Sequence, residues 1–164
     1  WLPTLMRETG ASLERAAFLG GLFQFGGVLS ALFIGWAMDR FNPNRIIAGF
    51  YLAAGIFAVI VGQSLSNPTL LALFILCAGI AVNGAQSSMP VLSARFYPTQ
   101  CRATGVAWMS GIGRFGAVFG AWIGAVLLGN NWSFTMILSM LFIPAAAAAI
   151  AIFVKSIVAH TDAT

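Results

Sequence analysis

The stretch AAFLGGLFQFGGVLSALFIGWAM, Ala16 to Met38, runs for 23 residues without a single charge. A helix rises 1.5 Å per residue, so about 20 apolar residues cross the roughly 30 Å hydrocarbon core of a bilayer. Four further apolar runs of that length follow: Ile46 to Leu65, Leu70 to about Ala94, Ala103 to Leu128, and Trp132 to Val154. Only Arg114 puts a charge inside any of them. The segments between them, 39–45, 66–69, 95–102 and 129–131, carry Pro, Asn, Gly or charge, the residues with which chains turn at an interface. Residues Trp1 to Met6 are too few to span, but their apolar character and Pro3 suit the last turn of a helix that begins upstream. The pattern predicts an all-α, polytopic membrane helix bundle of five spans behind a truncated sixth, and the chain reads as a fragment.

Composition agrees with lipid as the solvent. Of 164 residues, 60% are hydrophobic and 7% charged, with a mean hydropathy of +0.92; soluble domains average about 25% charged. Two cysteines 24 positions apart, Cys77 and Cys101, make no disulfide framework and no Cys-x-x-Cys site. His160 is the lone histidine, so neither a histidine metal centre nor a catalytic triad can be assembled, and no cofactor is expected.

The formal charge of +4 sorts by side. Arg40, Arg45, Arg95, Arg102 and Lys155 fall at one end of the spans, whereas Arg7 and Arg15 at the other are offset by Glu8 and Glu14. Lys and Arg in short loops are retained in the cytoplasm, which puts the carboxyl terminus and the tail 155–164 there. The basicity is therefore topological, and no clustered basic stripe of the nucleic-acid-binding kind is present. Trp1, Trp36 and Trp132 suit an interfacial aromatic belt, and Arg95 reads as a topology anchor.

Two motifs carry a family resemblance. The turn Gly35-Trp36-Ala37-Met38-Asp39-Arg40-Phe41-Asn42-Pro43-Asn44-Arg45 resembles the G-x-x-x-D-R-x-G-R-R signature of the major facilitator superfamily. Gly35, Asp39 and Arg40 match in spacing; Asn42 stands for the second glycine, since Asn tolerates a left-handed backbone, and Arg45 lies one position late. The run Tyr97-Pro98-Thr99-Gln100-Cys101-Arg102-Ala103-Thr104-Gly105-Val106, followed by Gly111-Ile112-Gly113-Arg114-Phe115-Gly116, looks like the aromatic acid:proton symporter family, as does the opening Trp1-Leu2-Pro3-Thr4. The resemblance implies the carboxy-terminal six-helix half of a twelve-helix carrier in a bacterial inner membrane, with helix seven truncated and the five spans as helices eight to twelve. It implies benzoate- or hydroxybenzoate-like acids and protons as cargo, and the amino-terminal half of the same polypeptide as partner. Asp39 and Arg40 would clamp the cytoplasmic face, with Gly35 beside them and Arg102 closing the gate.

Arg114 stands out on physical grounds alone. It lies eleven residues past Ala103, about 16 Å into the slab, too deep for its side chain to reach the interface. A charge there has to be met inside protein. Two roles fit: a planar, two-bond grip on a substrate carboxylate, or a structural pairing with a backbone carbonyl or an acid from the absent half. Gly116, Gly120 and Gly124 recur every four residues on the same helix, a spacing that admits a closely packed neighbour, about 200° from the arginine. Asn83, Gln86 and Ser87 form a polar stripe ahead of Pro90, suited equally to interhelical hydrogen bonds and to lining a substrate path; Gln24 is a further candidate. Trp108, Phe115 and Phe119 could stack on an aromatic ring, though most such residues face lipid or core.

The four acids, Glu8, Glu14, Asp39 and Asp162, all fall at interfaces or tails, so a proton-carrying carboxylate is expected in the absent half. No nucleophile with a base and no acid pair can be drawn from the spans, which argues against an enzyme. Two other readings stay open: a carrier for another organic anion or metabolite, and a non-transporting packing or channel subunit.

Overall fold

Four of the six helices among the described residues, those that begin at Leu13, Pro43, Pro68 and Phe134, follow a residue whose side chain caps them. In the computed structural model, which describes residues 12–64, 67–130 and 132–161, α1 spans Leu13–Arg40 and α2 spans Pro43–Gln63. Helix α3 spans Pro68–Phe96, α4 Arg102–Gly129, α5 Phe134–Met140 and α6 Phe142–Thr161. Ser12 caps α1 by accepting from the Arg15 N–H at 3.3 Å. Asn42 and Asn67 cap α2 and α3 through their side-chain oxygens, each followed by a proline at the first helical position. Proline fits there because its missing N–H has no intrahelical partner to lose.

Two expectations change. Asn42 is not left-handed: at φ −60° and ψ 115° it is an extended cap residue, and its side chain rather than backbone permissiveness makes the tight turn. The fifth apolar run is not one helix but two, α5 and α6, joined through Leu141. Pro144 explains the break, because it has no N–H to offer the carbonyl of Met140 and its ring crowds that carbonyl. Helix α6 then continues beyond Val154 to Thr161. The helix-seven stub expected at Trp1 to Met6 lies outside the described residues.

Five segments are long and apolar enough to cross a membrane: α1 to α4 individually, and α5 with α6 over Thr135–Ile157. Helix α1 packs chiefly on α3, and α2 is wedged between α3 and the α5–α6 pair. Ala16, Leu19, Val61, Leu71, Ile75 and Leu138 pack together at one end, whereas Ile34, Met38, Ile47, Ala48, Leu92 and Ile152 pack at the end that carries the basic residues. Lipid is as apolar as these side chains, so close backbone approach has to supply the helix–helix attraction. Gly26 and Gly79 provide it between α1 and α3. A Cβ on Gly26 would lie 2.7 Å from the Leu76 carbonyl oxygen, and one on Gly79 would collide with that of Phe23. Between α2 and α5, the Thr135 hydroxyl donates to the Gly62 carbonyl at 2.8 Å.

Helix α4 differs from the rest. Among the described residues none of its own is buried; it rests mainly on α3, and its Leu128 packs against the first cluster.

Candidate functional site

The α1–α3 contact opens into a polar recess on one side. Gln24, Gly27, Val28, Asn83, Gln86 and Ser87 are among the residues lining an open space of about 710 Å³. Gln24, Asn83 and Gln86, expected from the sequence, are thus brought together from two helices. Gly27 is required for this, because a Cβ there would lie 2.9 Å from the Asn83 side chain. The Asn83 amide donates to the Gly79 carbonyl at 2.9 Å, which fixes its rotamer and leaves its oxygen without a hydrogen-bond partner among the described residues. Ser87 and Ser88 both turn back onto the Gly84 carbonyl, at 3.2 and 2.7 Å. The polar groups turned to the recess are therefore the Gln24 and Gln86 amides, the Asn83 oxygen and the Ser87 hydroxyl, whose oxygen can still accept.

Arg114 does not line this recess. It sits on α4, twelve residues from Arg102 and fifteen from Gly129, or about 18 and 22 Å from the two ends. Its side chain is exposed and makes no ion pair or hydrogen bond among the described residues. The row Gly116, Gly120 and Gly124 is equally open: a Cβ on any of the three meets nothing within 4 Å. The close packing expected at these glycines is not made among the described residues.

At the basic end, Asp39 pairs with Arg95 across the ends of α1 and α3 at 3.7 Å. Arg95, read from sequence only as an anchor, is the residue sequence reasoning missed; it lies far from Asp39 in the chain, and the parallel α1–α3 packing joins their carboxy-terminal ends. Arg40 instead lies over the Trp36 ring, 5.5 Å from its centroid. Gly35 is exposed and touches nothing that a Cβ would meet. Arg102 donates from Nε to the Tyr97 carbonyl at 3.4 Å, folding the turn between α3 and α4 on itself. The Tyr97 ring occupies the place a side chain at Gly105 would take, a physical reason for a small residue in that motif.

The comparisons with known proteins agree with this architecture. The family description Major Facilitator Superfamily matches residues 1–162. The chain is 99% identical over its whole length to a 4-hydroxybenzoate transporter PcaK of Acinetobacter baylyi, covering 36% of that protein. It is 65% identical to the protein of the same description from Pseudomonas putida, covering 37% of it. Against a gallate transporter of Pseudomonas putida it is 47% identical over 93% of the chain, covering 34% of that relative. The chain thus spans little more than a third of the length of these relatives. No solved structure matches. With five membrane-length helices and a family match over nearly its whole length, the chain belongs to the Major Facilitator Superfamily.

Proposed function

We propose that this chain is the carboxy-terminal half of a secondary active carrier that imports small aromatic carboxylates of the hydroxybenzoate class by proton symport. The observation that carries the reading is the Arg114 guanidinium, which has no ion pair or hydrogen bond among the described residues, at mid-depth of a helix none of whose described residues is buried. The printed descriptions of the relatives, transporters of 4-hydroxybenzoate and gallate, support the substrate class. Substrate binds between this half and the amino-terminal half, near midplane, and rocking of the halves exposes it to each side in turn.

In this account Arg114 grips the carboxylate through two parallel hydrogen bonds. The Gln24, Asn83 and Gln86 amides line the substrate path across α1 and α3; amides both donate and accept, which suits a ring hydroxyl. The proton is carried by an acid of the other half, which also covers the face of α4 holding Gly116, Gly120 and Gly124. Asp39, Arg40, Gly35 and Arg102 belong to the gate at the basic end, which faces the cytoplasm of a bacterial inner membrane together with the carboxyl terminus.

Uptake of labelled 4-hydroxybenzoate by the full-length carrier, with and without a proton gradient, tests the reading. Gradient-dependent accumulation that collapses in Arg114→Gln is expected. Accumulation indifferent to the gradient would overturn proton symport, and full uptake by Arg114→Gln would remove the arginine from the mechanism.

A further inference from the structure

A second cavity lies away from the polar recess, between α2 and α3. Arg45, Gly49, Ala53 and Phe57 recur every four residues along one face of α2, and Cys77 and Ala81 of α3 face them across a groove of about 410 Å³. Small side chains make the hollow: a Cβ on Gly49 meets nothing within 4 Å. The groove opens on the side of α2 turned away from α5 and α6, because Gly55, two residues or about 200° from Ala53, is the position that touches Phe142 and Ala145. Its walls are apolar throughout except at one end, where Arg45 stands at the start of α2.

The Arg45 side chain is exposed and makes no ion pair or hydrogen bond among the described residues. The nearby carboxylate, Asp39, is engaged by Arg95. An apolar slot that ends at a free guanidinium at the membrane surface is complementary to one chemistry, a hydrocarbon tail joined to an anionic head. Length agrees as well. From Arg45 to Phe57 the groove runs twelve residues, about 18 Å, against about 15 Å for the hydrocarbon depth of one leaflet.

We propose that the α2–α3 groove is a binding site for an anionic phospholipid, one acyl chain lying along Gly49, Ala53 and Ala81 and the headgroup phosphate on Arg45. It rests on the packing of α2 on α3 and on a bilayer setting, and not on the identity of the transported acid.

The full-length polypeptide purified with phosphatidylglycerol or phosphatidylcholine, and examined by native mass spectrometry, tests the headgroup. One basic residue near an anionic surface corresponds to about a fivefold preference. Phosphatidylglycerol should be retained at about that preference, which Arg45→Gln abolishes and Lys155→Gln, at the same end on another helix, leaves intact. A photoactivatable group on the acyl chain should label the peptides holding Phe57 and Cys77, and Gly49→Leu, which fills the slot where nothing else stands, should remove the label. Equal retention of the two lipids, an undiminished preference in Arg45→Gln, or labelling that avoids α2 and α3 because another helix fills the groove would each overturn the proposal.

Discussion

Arg95, in the last turn of α3, reaches Asp39 near the end of α1 at 3.7 Å, so one ion pair ties the basic ends of the two helices that form the polar recess. Both side chains are well exposed, at 51% and 78%, and water screens such pairs to about 0–1 kcal/mol. Its worth in holding the fold is therefore small. A contact that makes and breaks at that cost suits a gate better than a foundation.

Asp39→Asn and Arg95→Gln in the full-length carrier should consequently melt within a few degrees of the parent and keep equilibrium binding of substrate, while uptake falls in both. The double variant should lose no more than the worse single one, because both remove the same contact. Binding measured by calorimetry beside uptake in vesicles checks this; loss of binding with uptake unchanged in rate per bound carrier would contradict it.

Gly79→Val should prevent α1 from seating on α3. Its side chain would meet the Phe23 backbone, which cannot rotate away as a flexible side chain would. Overpacking costs typically 1–3 kcal/mol and more where backbone must shift. The expected result is a sharp fall in monodisperse protein on size exclusion, whereas Gly35→Ala, with open space around it, should behave as the parent.

The turn between α3 and α4 offers a paired test. Gly105→Val should displace the Tyr97 ring and with it the carbonyl that holds Arg102. Tyr97→Ala opens the space, so the double variant should recover folded protein that Gly105→Val alone loses. Thermal melting of the three variants reads the rescue, and strict additivity of the two losses would show that ring and glycine do not share the site.

Gly120→Leu separates a covered α4 from an exposed one. Among the described residues a Cβ at Gly120 meets nothing within 4 Å. If the other half packs on the Gly116–Gly124 row, the bulky variant should lower the yield of folded full-length carrier; an unchanged yield would leave that face to lipid.

The spans were legible because length and apolar content are properties of single stretches. The run Ala16 to Met38 is uncharged over the length of a membrane span. What packs on what was less legible. Gly116, Gly120 and Gly124 are spaced as a packing seam yet meet nothing among the described residues, whereas Gly26 and Gly79, which do carry the α1–α3 contact, stand apart in sequence. A spacing motif records that a close approach is possible on one helix; which helix arrives depends on the whole bundle. Asn42 shows the converse: its cap bond is local, but the family pattern suggested glycine-like backbone, and the side-chain oxygen supplied another route to the same turn. Of the candidate site, Gln24, Asn83 and Gln86 do converge. Arg114 stays outside their recess, on the helix least covered by the described residues.

The central claim is that Arg114 holds the carboxylate of an aromatic acid, and binding of 4-hydroxybenzoate beside its amide analogue by the full-length carrier tests it most directly. Parent protein should prefer the acid, and Arg114→Lys should lose much of that preference, because an ammonium keeps the charge without the planar two-bond grip. Losing a desolvated charged contact costs a few kcal/mol, on the order of a hundredfold in affinity. Arg114→Gln, shown to be folded by size exclusion, should bind acid and amide nearly alike. A folded Arg114→Gln that still prefers the acid as strongly as the parent would contradict the account.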